Sequence, residues 1–212
     1  MYKLTEHKLI GYQSDIHTYV TIDIVLCEGY DEDSMFLMID NLFERGLEEK
    51  STIRWLLQIR DTYTTKLVGR IALRCADFIN HDGNTVVTSQ IAGVKIERQY
   101  QQRGITTHSY FAMSKWYGYL VSDFDQTVPG AKIWANSLLL HADVSVYDCE
   151  AQKFRGRLGT YGVSSQGFIV WNSARVTNLN GWQPNRLQEI VNKFTILVLS
   201  KDRAPDIGLA IE

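Results

Sequence analysis

The chain has 212 residues, 45% of them hydrophobic and 22% charged, with a formal net charge of −2; it is long enough to bury a real core, and its charge argues against a general nucleic-acid binder while leaving room for a local basic patch. The three cysteines, Cys27, Cys75 and Cys149, are odd in number and far apart, so neither a disulfide framework nor a zinc knuckle is indicated, and the histidines show no metal-ligand spacing. The opening, MYKLTEHKLIGYQSD, lacks the apolar core of a signal peptide and no run approaches membrane-spanning length, so the expectation is a soluble, cytoplasmic protein without metal or membrane contact.

In chain order, the even positions Val20, Ile22, Ile24 and Leu26 are apolar and alternate with Tyr19, Thr21 and Asp23, which predicts a half-buried strand. Asp31, Asp33 and Ser34 offer N-caps for a helix carrying Met35, Phe36, Ile39, Leu42 and Phe43, closed by Gly46. Ile53, Trp55, Leu57 and Ile59 alternate as a second strand, and a hairpin connection leads into a third over 67–73. The polar stretch CADFINHDGN, with Asp82 and Gly83 as a turn signal, separates it from a fourth strand over 86–96. A glycine junction follows, then a helix over 106–121 with Tyr110, Met113, Tyr117 and Leu120 near one face. A fifth strand is expected over 132–138, a helix over 144–158, and two final strands at GFIVW and FTILVLS, separated by a polar segment containing Gly181 and Pro184. Hairpins combined with helical crossovers imply an α/β (α+β) protein: one domain over 1–212, with a mixed, mostly antiparallel sheet of about seven strands flanked by helices.

The junction carries the functional signal. In VKIERQYQQRGITTHSYFAMSKW a strand breaks at Gln101-Gln102-Arg103-Gly104-Ile105-Thr106 and a helix follows directly. A strand entering a helix through a glycine turn aims several backbone N–H groups at one spot, a natural seat for phosphate. Gly104 lets the main chain approach an anion closely because no Cβ intervenes. The N–H groups of residues 102–106 lie at the positive end of the helix dipole, and Arg103 is placed to screen phosphate charge. A glycine closing such a turn for purely structural reasons is the competing reading.

This segment resembles the signature of the GNAT superfamily of N-acetyltransferases. In that family a Q/R-x-x-G-x-G/A turn after the fourth strand receives the pyrophosphate of acetyl-coenzyme A. Gln101 and Gly104 match its first and fourth positions, and Thr106 replaces the small last residue. The resemblance implies that Gln101, Gln102, Arg103, Gly104, Ile105 and Thr106 hold the pyrophosphate, and that the strand backbone at Val94, Lys95 and Ile96 pairs with the pantetheine arm. The order of elements is similar to the family's as well. The implied cofactor is acetyl-CoA or another acyl-CoA, and the implied activity is acyl transfer to an amine of a protein, a small molecule or a nucleobase.

Acyl transfer to an amine needs removal of a proton, stabilisation of an oxyanion and protonation of a thiolate. Where some members place a glutamate base this chain has Gln90, which orients water or substrate but takes no proton near neutral pH. His108, opening the helix, is a candidate base against the simpler reading of an exposed histidine; His141, Asp143 and Asp148 are further candidates as a group, and Glu97 reads as surface charge. At the place of the family's tyrosine acid the chain carries Arg155 with Phe154 beside it, so Tyr147, expected on the helix over 144–158, is preferred to Tyr161 as a substitute acid. For both tyrosines the plain alternative is a core-boundary aromatic. Lys153, Arg155 and Arg157 with Phe154 form a basic–aromatic cluster suited either to a nucleic acid or coenzyme phosphate or to a solvated surface. These departures raise a second function: a catalytically silent protein of the GNAT fold that binds or inhibits a macromolecule.

Overall fold

The computed structural model describes residues 3–7, 12–14, 17–19, 21–26, 53–60, 67–124, 126–159, 162–171 and 194–204. The chain divides into two compact units, one of Met1–Cys75, Gln90–Thr106 and Asp206–Glu212, the other of Ala76–Ser89 and Thr107–Pro205.

The first unit is built on strands β1 (Lys3–His7), β4 (Thr21–Leu26), β5 (Ile53–Arg60), the opening of β6 (Leu67–Ile79) and the close of β7 (Thr85–Ile96), in the order β1-β4-β5-β6-β7. Two short strands, β2 (Tyr12–Ser14) and β3 (His17–Tyr19), pair separately. β1 meets β4 antiparallel with Thr5 opposite Ile24, β4 meets β5 with Ile24 opposite Leu57, and β5 meets β6 with Leu57 opposite Ile71. Leu57, Ile59, Ile71, Leu73 and Ile91 are buried, as their alternation requires. Gly69 is bare for a reason: a Cβ there would stand 2.8 Å from the Lys95 carbonyl oxygen, so only glycine lets β7 approach this closely.

The second unit contains the close of β6, the opening of β7, helix α1 (Ile105–Tyr117, from Thr107 onward), β8 (Tyr119–Val121), helix α2 (Val128–Lys132), a π-helix (Ile133–Leu138), β9 (Val144–Asp148), β10 (Lys153–Arg157) and β11 (Thr195–Ser200). Its strand order is β6-β7-β8-β11-β9-β10, so the last strand inserts between β8 and β9. β11 is antiparallel to both neighbours, with Val198 opposite Val121 and Ser145. Tyr110, Phe111, Ala112 and Met113 of α1 are buried, as are Trp134, Ala135 and Leu138 of the π-helix, and the Tyr110 and Trp134 rings lie 5.5 Å apart. Phe78, Val121, Tyr147, Ile196 and Val198 form a second buried cluster.

The architecture is mixed α+β, and every strand pair of defined register is antiparallel. Several local expectations are corrected. The helix after the junction stops at Tyr117, because Gly118 turns left-handed (φ +80°) and the chain resumes as β8. Residues 132–138 are helical: Thr127 caps α2 by accepting the Gly130 N–H at 3.3 Å, Pro129 sits in its first turn, and Trp134, Ala135 and Leu138 bury at helical spacing. Residues 144–158 form the β9–β10 hairpin instead of a helix, Val144 and Val146 being buried against β11. In the supposed polar link, Cys75 to Ile79 continue β6 with Cys75 and Asp77 outward and Phe78 inward; only residues 80–84 turn, with Gly83 at φ +80°. GFIVW contributes a single bridge, Val163 to Ile169. The helix expected from Met35 to Gly46, the segment with Gly181 and Pro184, and Tyr161 lie outside the described residues.

Candidate functional site

β7 ends by handing the Glu97 N–H to the Val68 carbonyl at 2.8 Å, and a 3₁₀ turn over Arg98–Tyr100 follows. The Tyr100 N–H bonds the Glu97 carbonyl at 2.8 Å and the Gln101 N–H bonds that of Arg98 at 3.3 Å. Gln101 then folds back, its Nε2 donating to the Ile96 carbonyl at 2.9 Å, so the first residue of the motif braces the turn to the strand that precedes it. Beyond it, Gln102 (φ +62°) and Gly104 (φ +75°) are both left-handed and both exposed. A left-handed residue followed by helical backbone turns successive N–H groups into one concavity that favours an anion. The N–H groups of Gln102 and Gly104 meet no backbone acceptor among the described residues. The Arg103 guanidinium lies over the Tyr100 ring, 5.7 Å from its centroid, which fixes a positive charge beside the concavity.

Val94 and Ile96 are half-buried on β7. Gln90, on the same strand, is buried and its Oε1 accepts from Arg74 Nε at 2.7 Å. Its amide plane is thereby fixed, a constraint that sequence reasoning missed because Arg74 gave no signal beyond its place on a strand.

His108 and Tyr147 belong to the second unit. His108 occupies the first turn of α1, where burial and, second to it, the charge of His141 lower its pKa, so the imidazole is neutral near pH 7. His141 packs edge-on against Phe111, three residues along α1 from His108, with centroids 6.3 Å apart. Tyr147 stands on β9, buried, its ring packed edge-on against Phe78 (5.5 Å) and Phe154 (5.1 Å), and its hydroxyl oxygen accepts the Ile79 N–H at 3.1 Å. What it retains for other partners is the O–H as donor.

The basic–aromatic cluster is largely neutralised by the protein itself. Arg155 donates to Asp148 Oδ2 through Nε at 3.0 Å and Nη2 at 2.5 Å, and its guanidinium lies 5.1 Å from the Phe168 ring centroid. Arg157 pairs with Asp143 at 3.2 Å, and Lys153 is exposed. Burial pushes the Asp148 carboxyl up, but the Ala151 N–H, the Arg155 guanidinium and the Glu150 N–H together hold it below the usual carboxylate range. Next to it, burial first, and then the charges of Asp148 and Asp77, push the Cys149 thiol up to about 11.

Among the described residues no three His, Cys, Asp or Glu side chains gather as metal ligands, and no helix is long and apolar enough to cross a membrane. No protein-family model matches the sequence, and no curated protein matches it.

Proposed function

We propose that the protein is an acyl-CoA-dependent N-acyltransferase of GNAT type whose diphosphate seat is the turn over 101–106. The observation that carries this reading is the pair of left-handed residues, Gln102 and Gly104, at the entrance to α1, with main-chain N–H groups that meet no backbone acceptor among the described residues. The fit to a diphosphate is chemical as well as geometric: the turn is exposed, it carries Arg103 beside it, and none of residues 101–106 is acidic. Gln102, Gly104 and Thr106 would hold the diphosphate, and the β7 backbone at Val94 and Ile96 would align the pantetheine arm. When bound, acyl-CoA supplies an activated thioester whose acyl group passes to an amine. The succession of strand, glycine turn, helix and strand supports the same reading, and a cytoplasmic setting agrees with the sparse, scattered cysteines.

The chain's own residues define what else the reaction requires. Gln90, held by Arg74, orients a water or the acceptor and leaves the amine proton to another base. The neutral imidazole of His108 has the right protonation state for that task, and the Tyr147 O–H has the right donor chemistry to protonate a thiolate. The acceptor is an amine of a protein, a small molecule or a nucleobase.

One observation favours the second reading, a non-catalytic binder of a macromolecule: Gln90, at the family's base position, is tied down by Arg74, and Tyr147, the substitute acid, by its place in the core. Isothermal titration of the full chain with acetyl-CoA, repeated on Gly104→Val, tests the cofactor half. Saturable heat lost in the variant supports it, and absence of heat with the unaltered chain overturns it. Acyl transfer to any amine that disappears with Gly104→Val then rules out the silent binder.

A further inference from the structure

Within the second unit the Ile79 N–H donates to the Tyr147 hydroxyl at 3.1 Å, and the Phe78 ring meets those of Tyr147 and Phe154 with centroids 5.5 and 6.1 Å apart. These contacts join residues that the strand order sets far apart. From β6 to β9 that order takes four steps, and to β10 five. At about 4.8 Å a step, a flat sheet would hold β6 roughly 19 Å from β9 and 24 Å from β10. The sheet of this unit therefore curls until its first strand meets its last two.

The register tells which face it curls over. Phe154 and Ile196 both stand opposite Tyr147, and Val198 stands opposite Val121, so these side chains share one face with Tyr119. Phe78 is buried among them, edge-on to Tyr119 at 5.2 Å. Beyond Phe78, residues 80–84 form a turn closed by its own bonds. The Asn80 N–H reaches the Asn84 carbonyl at 2.9 Å, the Gly83 N–H reaches the Asn80 carbonyl at 3.1 Å, and Asn80 Oδ1 accepts the Asp82 and Asn84 N–H groups. His81 is exposed, yet its ring lies flat on that of Phe154, with centroids 3.8 Å apart and planes 17° from parallel.

Main-chain ladders join β8 to β11 and β11 to β9. Among the described residues no main-chain ladder joins the β6–β7 tip to β9 or β10, and its contacts there end on the side chains of Tyr147 and Phe154. A segment that keeps its own internal hydrogen bonds and is attached only by side chains is the first to part from its neighbours.

We propose that the β6–β7 tip, from Phe78 to Asn84, is a strap. It closes over the aromatic face of this unit and lifts from it while the β8–β11–β9 ladder stays paired. Lifting frees the Tyr147 phenol oxygen and bares the Phe154 ring. The inference stands on the second unit alone and does not rest on the acyl-CoA reading.

The test is native-state hydrogen exchange on the ¹⁵N-labelled full chain, each amide rate being divided by its intrinsic value. The Ile79 amide is expected to be about a hundredfold or more less protected than those of Ser122 and Leu197, which lie in the β8–β11 pairing. Tyr147→Phe keeps the ring, removes the acceptor and should speed Ile79 exchange about tenfold. His81→Ala touches neither partner of that bond, so a speeding of about threefold or more at Ile79 reports the strap lifting as one piece. Ser122 and Leu197 should keep their rates in both variants. The first comparison uses the unaltered chain, so it stands whether or not a variant folds. An Ile79 amide as protected as Leu197, no change at Ile79 in His81→Ala, or a speeding shared equally by all three amides would make the tip part of the core and overturn the proposal.

Discussion

Two turns in this protein use the same backbone device and finish it differently. In the turn after β9, Gln152 (φ +50°) is left-handed; in the turn after β7, Gln102 and then Gly104 are. In the first, the chain supplies its own anion: Asp148 Oδ1 accepts the N–H groups of Glu150 at 3.1 Å and Ala151 at 3.0 Å, while Oδ2 takes Arg155. In the second, Gln101 is neutral and spends its donor on the Ile96 carbonyl, and the Arg103 guanidinium lies over the Tyr100 ring. A turn that carries its own counter-charge is structural. One whose left-handed residues have N–H groups that meet no backbone acceptor among the described residues suits the proposed anion seat.

The largest effect is expected at Gly104. Gly104→Val forces a β-branched residue to φ +75°, which costs about 1–2 kcal/mol of stability and crowds the concavity. Acetyl-CoA binding should vanish in calorimetry while the circular dichroism spectrum is kept. Retained affinity would erase the distinction between the two turns.

Next is the turn with the built-in anion. Asp148→Ala strands Arg155 and two main-chain N–H groups, and urea denaturation should show a loss of about 2–3 kcal/mol with no change in acetyl-CoA affinity. The acid limb gives the sign. Because the folded Asp148 carboxyl titrates below its unfolded value, its stabilisation is whole above the ordinary aspartate pKa of about 3.9 and drains away as pH falls through the folded value. Asp148→Asn should flatten that part of the acid-unfolding curve.

Gln101→Ala removes one brace and is worth about 1 kcal/mol of stability, with a weaker but measurable acetyl-CoA heat. The smallest signal is kinetic. Cys149 lies in the closed turn with its thiol pushed up to about 11, whereas Cys75 is exposed, so site-resolved mass spectrometry of iodoacetamide labelling at pH 7.5 should find Cys149 the slower of the two. Rapid labelling of Cys149 would mean that the turn opens.

Legibility in the sequence followed the strength of local periodicity. β5 is legible because alternation runs along it, and β11 because TILVLS is a long apolar run. VSVYDCEAQKFRGRL mixes spacings and so does not announce the β9–β10 hairpin; Val144 and Val146 are strand residues because β11, some fifty positions later, pairs with them. Residues 132–138 read as a strand in isolation, whereas the decisive helix signals, Thr127 and Pro129, lie upstream. At the candidate site, Gly104 was legible from its place between strand and helix. The left-handed Gln102 was not, since glutamine has no preference for that conformation. Nor were the Arg74–Gln90, Asp148–Arg155 and Phe124–Phe194 contacts, all of which depend on pairings made in three dimensions.

The sharpest test of the diphosphate seat is the response of individual main-chain amides to coenzyme A in ¹H–¹⁵N correlation spectra of the full chain. Saturable shifts at Gln102 and Gly104, with the Glu150 and Ala151 amides unmoved, are the predicted result. Amides at 102 and 104 that stay in place at saturating coenzyme A, or that move no more than those of 150 and 151, would contradict it.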